Sequence, residues 1–503
     1  MTTSSGAGPA GVPAIGARSL RRQMRAWRRD RADTTLYEQL SEAYVWVFSL
    51  VLLGAMAISA MVQTRVNIAA GCTTSTCDDA RTSLVWATVA ATTAFSLAAA
   101  AAIGPVMVTP ATAAWLLTSP IDRGPLLRSR LFVASGATAL GCTVVVAVTG
   151  LLAGIPYGAI AVLAVASGLT GAAGTAAAAV WQARGGRATQ RVALILGVLT
   201  AGWLLLVAVD AEPGTEAGWL TGPAGWAAIA AALLAVVVLL IRATSRLSAL
   251  LRAQLVPGGS LLSSLSGALA GLDLALAYDV LVARRWRTAA TVRPVRGGPA
   301  GAWALVWRDV VRLRRSPGPL AALAGALLVP YVVLRLDLDD TVVLASALAA
   351  FLGGLWSFTA LRTTGRNPGL VRCFPMSSAA VRSATAAVPG GLLLLWSLAA
   401  APAIGHSLDD PTVIDTLLVA VATGATALGA IARWMLAPPP DYSMPLVASP
   451  TGAIPTGLII SALRGFDVLA LGVVPLLVAP DTNGALVSLG LTGSVVSYLV
   501  SRR

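Results

Sequence analysis

The sequence predicts an all-α integral membrane protein with about twelve transmembrane helices, arranged in two parallel six-helix halves with both termini in the cytoplasm. Of the 503 residues, 56% are hydrophobic and 12% are charged, and the mean hydropathy is +0.78. A water-soluble domain does not reach these values. Apolar runs of the length that a helix needs to cross the hydrocarbon core recur along the chain. The arginines between these runs alternate with acidic loops.

The apolar runs fall into two groups of six. The first group covers residues 43–63, 84–107, 131–153, 157–180, 192–209 and 223–241. The second group covers residues 318–334, 341–361, 384–405, 412–432, 464–480 and 484–500. Residues 260–283 form a weaker candidate, which aspartates and serines dilute, and we interpret it as an interfacial or cytoplasmic amphipathic helix.

The distribution of charge predicts the orientation. All 36 basic residues are arginines, and 33 of them fall in segments that are cytoplasmic if the N-terminus is cytoplasmic. The other three are Arg65, Arg81 and Arg335, whereas twelve of the 22 acidic residues lie in the outer loops. This is the positive-inside pattern of a multi-pass protein of the cell membrane. Because the arginines follow the topology, the excess basic charge does not indicate nucleic-acid binding.

The composition also limits the chemistry of the chain. It has no lysine, so it has neither a phosphate-binding P-loop of the usual form nor a Schiff-base amine. Its single histidine, His406, is far in sequence from all four cysteines, which argues against a metal site. We therefore expect no catalytic residues, no metal and no cofactor in this chain.

Cys72 and Cys77 are the only closely spaced cysteines. They lie in a short polar loop that the predicted topology places outside, where a disulfide can persist. The sequence leaves open whether they are bonded, and a bond would be structural.

Four regions follow from the spans. They are a basic cytoplasmic N-terminal segment, a first half, a cytoplasmic linker with amphipathic helices, and a second half: residues 1–42, 43–241, 242–317 and 318–503.

The end of the linker, residues 303–317, has the pattern of an amphipathic helix at the inner membrane surface. Trp303 and Trp307 are four residues apart on one helical face, so both indole rings can lie at the depth of the lipid headgroups. Arg308 and Arg312 are placed to reach anionic lipid or water. Simple anchoring to the bilayer is the alternative interpretation.

A proline-centred loop connects the second and third spans of each half, at residues 115–130 and 370–383. Each loop has apolar residues, then Pro120 or Pro375, then a polar stretch suited to capping a helix. We expect a short helix to follow, which carries Arg128 in the first loop and Arg382 in the second. Such apolar loops favour docking against a partner, although a simple return to the membrane surface is the alternative.

With these features the sequence resembles the permease subunits of ABC-type exporters, particularly the actinobacterial type with two fused six-span halves. Residues 303–317 are similar to that family's interface helix, and the two proline loops are similar to its coupling helices. The resemblance implies a separate ATPase subunit that binds ATP and contacts these loops. Carried over, the contact residues are Pro120, Asp122, Arg123, Arg128, Pro375, Ser377 and Arg382. The highly charged N-terminal segment and the long linker depart from the family pattern.

Two other classes of function remain open. A transporter driven by an ion gradient needs ionisable residues within its spans, and here only Asp467 lies inside an apolar run. It is close to Arg464, so we expect a structural ion pair. A non-transporting scaffold or assembly protein needs no motif. The chain either completes a permease alone or pairs with a second copy of itself.

Overall fold

The computed structural model describes residues 75–115, 123–185, 187–209, 221–270, 273–287, 298–441, 443–449 and 452–501, with single positions between residues 26 and 66. Within these residues, ten helices are long and apolar enough to cross a membrane, and one bent helix pair makes a possible eleventh span. Each overlaps one of the predicted segments. The remaining segment, 43–63, lies partly outside the described residues, and its described positions are helical. The chain is therefore a multi-pass, essentially all-α membrane protein.

The first half contains five of the candidate spans and one short helix. The helices are α1 Ser75–Ile103, α2 Pro110–Trp115, α3 Arg123–Leu152, α4 Tyr157–Ala183, α5 Ala188–Ala208 and α6 Pro223–Arg246. Helix α4 is the central one, since it packs against α1, α3 and α6. Gly168 and Gly171 let α3 come close, because an added Cβ would contact the side chains of Thr143 and Cys142 at 2.2 and 2.8 Å.

The described part of the linker contains the 3₁₀ turn Leu247–Ala249 and three α-helices: α7 Arg252–Ala270, α8 Leu274–Arg287 and α9 Ala302–Arg315. The predicted amphipathic segment 260–283 is thus divided between α7 and α8, and neither helix is among the candidate spans. Both helices contact each other, and α7 packs on α1 and α2.

The contact between α7 and the first half is a close backbone approach. A Cβ at Gly258 would lie 1.5 Å from the carbonyl oxygen of Ile103, and one at Gly259 would lie 2.0 Å from that of Val108. Only glycine fits at such positions. The Gly258-Gly259 pair therefore lets the linker lie directly on the chain that follows α1.

The second half contains the other candidate spans, several of them interrupted. Its elements are α10 Gly318–Ala326, α11 Leu328–Arg335, α12 Val342–Gly354, α13 Thr359–Arg366, α14 Pro368–Arg372, α15 Ser378–His406, α16 Val413–Met435, β1 Leu446–Ser449, β2 Gly452–Pro455, α17 Thr456–Leu463, α18 Phe466–Val478 and α19 Thr482–Ser501. Helices α12 and α13 are parts of one span, joined by the 3₁₀ turn Leu355–Phe358.

Strands β1 and β2 form an antiparallel hairpin in which Leu446 pairs with Pro455. Among the described residues these are the only strands.

The two halves repeat the same helix packing. In each half the third span packs on the fourth (α3 on α4, α15 on α16) and the fourth on the sixth (α4 on α6, α16 on α19). The second span packs on the fourth and fifth in both halves as well. This is the pattern of an internal repeat. The largest buried cluster is in the second half and includes Phe351, Phe358, Ile431 and Met435.

The halves meet through α11, which packs on α5 and α1. The Arg335 Nε donates to the carbonyl of Ala208 at 3.4 Å.

At the same end of the molecule, Asp415 closes a capping box with Thr412 at the start of α16. Its Oδ1 also accepts from the backbone and hydroxyl of Thr482, at 3.0 and 2.6 Å, so one carboxylate holds the starts of α16 and α19 together.

Candidate functional site

The first predicted coupling loop is only partly described. Pro120 and Asp122 lie outside the described residues, and Arg123 is the first residue of α3. The exposed Arg128 also lies in α3, with its guanidinium 5.6 Å from the ring of Phe132. It belongs to the long helix of the third span and not to a separate short helix. The short helix described between the second and third spans is α2, Pro110–Trp115.

The second loop has the same design. The short helix α14 precedes Pro375, and Arg382 lies in the long helix α15. The expectation that a short helix carries Arg128 or Arg382 was therefore wrong, because both arginines lie in long span helices. The reason is local: the Ser377 hydroxyl accepts from the Ala380 backbone N–H at 3.2 Å and so starts α15 directly after Pro375. The helix then continues through Pro389 and Pro402 to His406.

Arg382 has a structural partner. Its Nη1 donates to the carbonyls of Leu499 and Val500 at 3.1 and 3.4 Å, at the C-terminal end of α19. A cation at this position satisfies carbonyls that have no partner within their own helix. Pro375 and Arg372, by contrast, are exposed. The accessible surface of this loop is therefore α14 and the residues just after it.

The predicted interface helix is α9, and Trp303, Trp307 and Arg308 are exposed on it as expected for an amphipathic surface helix. Arg312 differs from the prediction. Its side chain is 17% exposed and turns inward, where Nε contacts the buried carboxylate of Asp309 at 2.7 Å.

The inward turn of Arg312 has a physical reason. Asp309 is 3% exposed, and a carboxylate at such a position requires a cation. Burial raises the pKa of Asp309, and Arg312 opposes that rise. Arg312 also donates to the carbonyl of Ser357 at 2.5 Å and to the hydroxyl of Thr359, so it ties α9 to the start of α13.

A second ion-pair cluster joins the linker to the second half. Asp279 in α8 accepts from Arg362 at 2.5 and 2.8 Å and from Arg366 at 2.7 Å. Arg362 is 3% exposed, and its guanidinium lies 5.4 Å from the ring of Tyr278 and 5.0 Å from that of Trp434. These are cation–π distances.

Tyr278 anchors the same contact. It is 6% exposed, packs against Trp356 and Trp434, and donates its hydroxyl to the Leu355 carbonyl at 3.2 Å. Burial raises the pKa of Tyr278, so the hydroxyl remains a neutral donor. This cluster was not predicted from the sequence, where its only signal is the pair Tyr278-Asp279 next to the apolar face of an amphipathic segment.

Asp467 pairs with Arg433, at 3.3 Å, and not with Arg464 as predicted. The break between α17 and α18 explains the difference. Gly465 has φ of +91°, and Asp467 turns back to accept from its backbone N–H at 2.7 Å. Arg464 instead donates to the carbonyl of Pro438 at 2.5 Å.

Four helices of the second half surround a cavity of about 520 Å³. It lies at the ends of α13, α16 and α19 and at the start of α15. Its lining residues are Gly365, Arg366, Arg382, Arg433, Leu436, Ala437, Pro438, Pro439 and Leu499. Three of them are arginines from three helices, and none is acidic. The cavity is therefore a positively charged chamber on the side of the molecule that carries α14.

A second cavity of about 630 Å³ lies in the first half between α1 and α3. Its wall is apolar apart from the hydroxyls of Thr88, Thr92, Ser96 and Thr138 and the thiol of Cys142. Such a wall suits a hydrophobic or amphipathic molecule.

The cysteines fall into two classes. Cys77 is disulfide-bonded, and Cys72 lies outside the described residues. Cys142 is a buried free thiol, and Cys373 is an exposed one. Within the described parts of the chain, no three His, Cys, Asp or Glu residues are grouped so that they could hold a metal ion.

Residues 77–445 match a family described as a family of unknown function (DUF6297). The match covers most of the chain, so the protein belongs to this family. Among curated proteins and solved structures, none matches the chain.

Proposed function

We propose that this member of the DUF6297 family is the membrane permease subunit of an ABC-type transporter, an exporter that moves its substrate with the help of a separate ATPase subunit. In this proposal the chain has twelve spans in two parallel halves and resides in the cell membrane with both termini in the cytoplasm. ATP binds to the partner subunit.

The observation that carries the proposal is the position of α9 and α14. Helix α9 is tied to the start of α13 through Arg312 and packs on α15. Helix α14 packs on the end of α13 and on α15. An amphipathic surface helix and an exposed short helix thus adjoin the same span, at the side where the arginines cluster. A partner that binds this side of the molecule contacts both α9 and α14 and can move the second span of the second half.

The repeated packing supports two equivalent contacts. Helix α2 in the first half occupies the place of α14 in the second, between the second and third spans and before a proline. A two-half permease therefore offers a partner ATPase one loop in each half. The absence of lysine from the chain supports a partner as the source of ATP hydrolysis.

The apolar cavity between α1 and α3 supports a hydrophobic or amphipathic substrate. Its hydroxyl groups, such as those of Thr92 and Thr138, provide a few polar contacts on an otherwise apolar wall.

Co-purification tests the proposal. The protein is purified from mild detergent together with candidate ABC-type ATPase subunits, as wild type and as the variants Arg128→Glu and Arg372→Glu. Both arginines are exposed on the loop side, so reversal of their charge is expected to weaken the complex without unfolding the chain. Asp409→Arg is the matched control, because Asp409 is exposed at the opposite end of α15.

The permease proposal is supported if the two loop variants lose the complex and the control variant keeps it. If no ATPase binds while the protein remains folded, the proposal is wrong. Ion-dependent uptake into vesicles then points to the gradient-driven transporter, and the lack of any transport points to the scaffold.

A further inference from the structure

The arginine-lined cavity has a property that the permease proposal does not use. Arg366, Arg382 and Arg433 come from α13, α15 and α16 and line one chamber of about 520 Å³. We propose that this chamber binds a phosphate group, carried either by an anionic phospholipid headgroup or by free phosphate. Guanidinium groups bind phosphate oxygens with several directed hydrogen bonds and remain charged at any physiological pH.

Two of the lining arginines have donors that no described residue uses. Arg366 donates only its Nη1, to Asp279 at 2.7 Å, and Arg433 donates only its Nε, to Asp467 at 3.3 Å. The Nη2 of Arg366 and both Nη groups of Arg433 therefore have no acceptor among the described residues. A phosphate in the chamber is an acceptor for these N–H groups.

The charge balance around the chamber is positive. Five arginines lie in or beside it: Arg362, Arg366, Arg382, Arg433 and Arg464. Three carboxylates oppose them: Asp279 and Asp467 in ion pairs, and Asp273, which interacts with Arg366 and Arg464.

Asp441 follows the lining residues Pro438 and Pro439 closely in sequence, and its carboxylate accepts hydrogen bonds from the backbone and hydroxyl of Ser443 but keeps its negative charge. With Asp441 included, the described residues in or beside the chamber are five arginines and four aspartates, so their net charge is positive. An anion is the ligand that this excess favours.

The shape of the chamber suits a phosphate with an organic group attached. Its volume falls within the usual range of about 300 to 1,000 Å³ for small-molecule sites, which is more than a phosphate alone requires. The lining also includes the apolar side chains of Leu436, Ala437 and Leu499. The chamber opens where spans end, which is the depth of lipid headgroups.

Thermal unfolding in nanodiscs tests the proposal and separates the two sources of phosphate. The full-length protein is placed in phosphatidylcholine nanodiscs, with and without phosphatidylglycerol, and inorganic phosphate is titrated into the discs that lack the anionic lipid. A rise of the unfolding temperature with phosphatidylglycerol indicates a headgroup site. A rise with inorganic phosphate indicates a site for the free anion.

The variant Arg366→Gln/Arg433→Gln removes both sets of unused donors, and we expect it to bind roughly tenfold or more weakly. The matched control is Arg242→Gln/Arg246→Gln, which removes two exposed arginines from the C-terminal end of α6 and so corrects for general attraction to an anionic membrane. We expect the control to keep the response of the wild type.

A second variant leaves every arginine in place. Pro439 is an exposed residue on the rim, and Pro439→Glu puts a carboxylate there. We expect it to fold and to lose the response, which keeps the test decisive if the double arginine variant does not fold. The proposal is overturned if the wild type responds to neither ligand, or if the control loses the response as fully as the cavity variants.

Discussion

Arg362 and Asp279 are 83 residues apart in sequence and form a two-point ion pair, with Nε to Oδ1 at 2.5 Å and Nη2 to Oδ2 at 2.8 Å. Arg362 belongs to the second span of the second half, whereas Asp279 belongs to the linker. The preceding linker helix, α7, lies on the first half through the Gly258-Gly259 pair. The linker is thus attached to both halves and is not a loose tether.

Removal of Asp279 is expected to destabilise the protein. In Asp279→Ala the guanidinium of Arg362 remains buried without its carboxylate. We expect the free energy of unfolding to fall by about 3 kcal/mol. This is the low end for a broken buried ion pair, because Asp279 itself is one-third exposed. The unfolding temperature in detergent measures the loss. Asp409→Ala removes an exposed aspartate and should leave the temperature nearly unchanged; an equal loss in both variants would contradict the prediction.

Gly465→Ala is expected to strain the break between α17 and α18. Gly465 has φ of +91°, and an added Cβ would lie 3.0 Å from the Ala430 carbonyl oxygen. We expect a loss of about 1 to 3 kcal/mol in stability, seen as a lower unfolding temperature. The control is Gly493→Ala in α19, where a Cβ meets nothing within 4 Å. If both variants behave alike, the backbone at Gly465 is not constrained as described.

Cys373 offers a test of orientation. It is an exposed free thiol just after α14, whereas Cys142 is buried and Cys77 is disulfide-bonded. In right-side-out vesicles, a membrane-impermeant maleimide is expected to label the protein only after permeabilisation, because the proposed topology places this loop in the cytoplasm. Cys373→Ser should abolish the labelling. Labelling of sealed vesicles would mean that this loop lies outside the cell and that the orientation is opposite to the proposed one.

Asp309 is expected to make stability depend on pH. Burial raises its folded-state pKa above the ordinary 3.8, despite Arg312. Its contribution to stability is therefore greatest below the unfolded pKa and is lost as the pH rises through the folded pKa. Between about pH 4 and neutrality, the unfolding temperature of the wild type should fall relative to that of Asp309→Asn. Asp409→Asn should show no such trend, and an opposite trend for Asp309 would mean that the ion pair outweighs burial.

Much of the fold was predictable because it depends on local properties. Each candidate span overlaps a predicted apolar segment, since about 20 contiguous apolar residues suffice to define a span. The amphipathic exposure of Trp303 and Trp307 on α9 likewise follows from helical spacing. The β hairpin between α16 and α17 was not predicted, and its residues show no clear strand periodicity.

The candidate site was less predictable. Short helices were expected to carry Arg128 and Arg382, but both arginines lie in the long span helices α3 and α15. Arg312 was expected at the surface, but the buried Asp309 draws it inward.

The sequence by itself determined where the apolar helices lie and which segments carry the arginines, because hydrophobic length and charge are properties of contiguous residues. Only the tertiary structure decided which arginine meets which carboxylate: Arg433 rather than Arg464 for Asp467, and Arg362 with Arg366 for Asp279. In sequence these arginines are equivalent. Helix packing distinguishes them, because it brings residues distant along the chain to within hydrogen-bonding distance and leaves other guanidinium groups facing a common cavity.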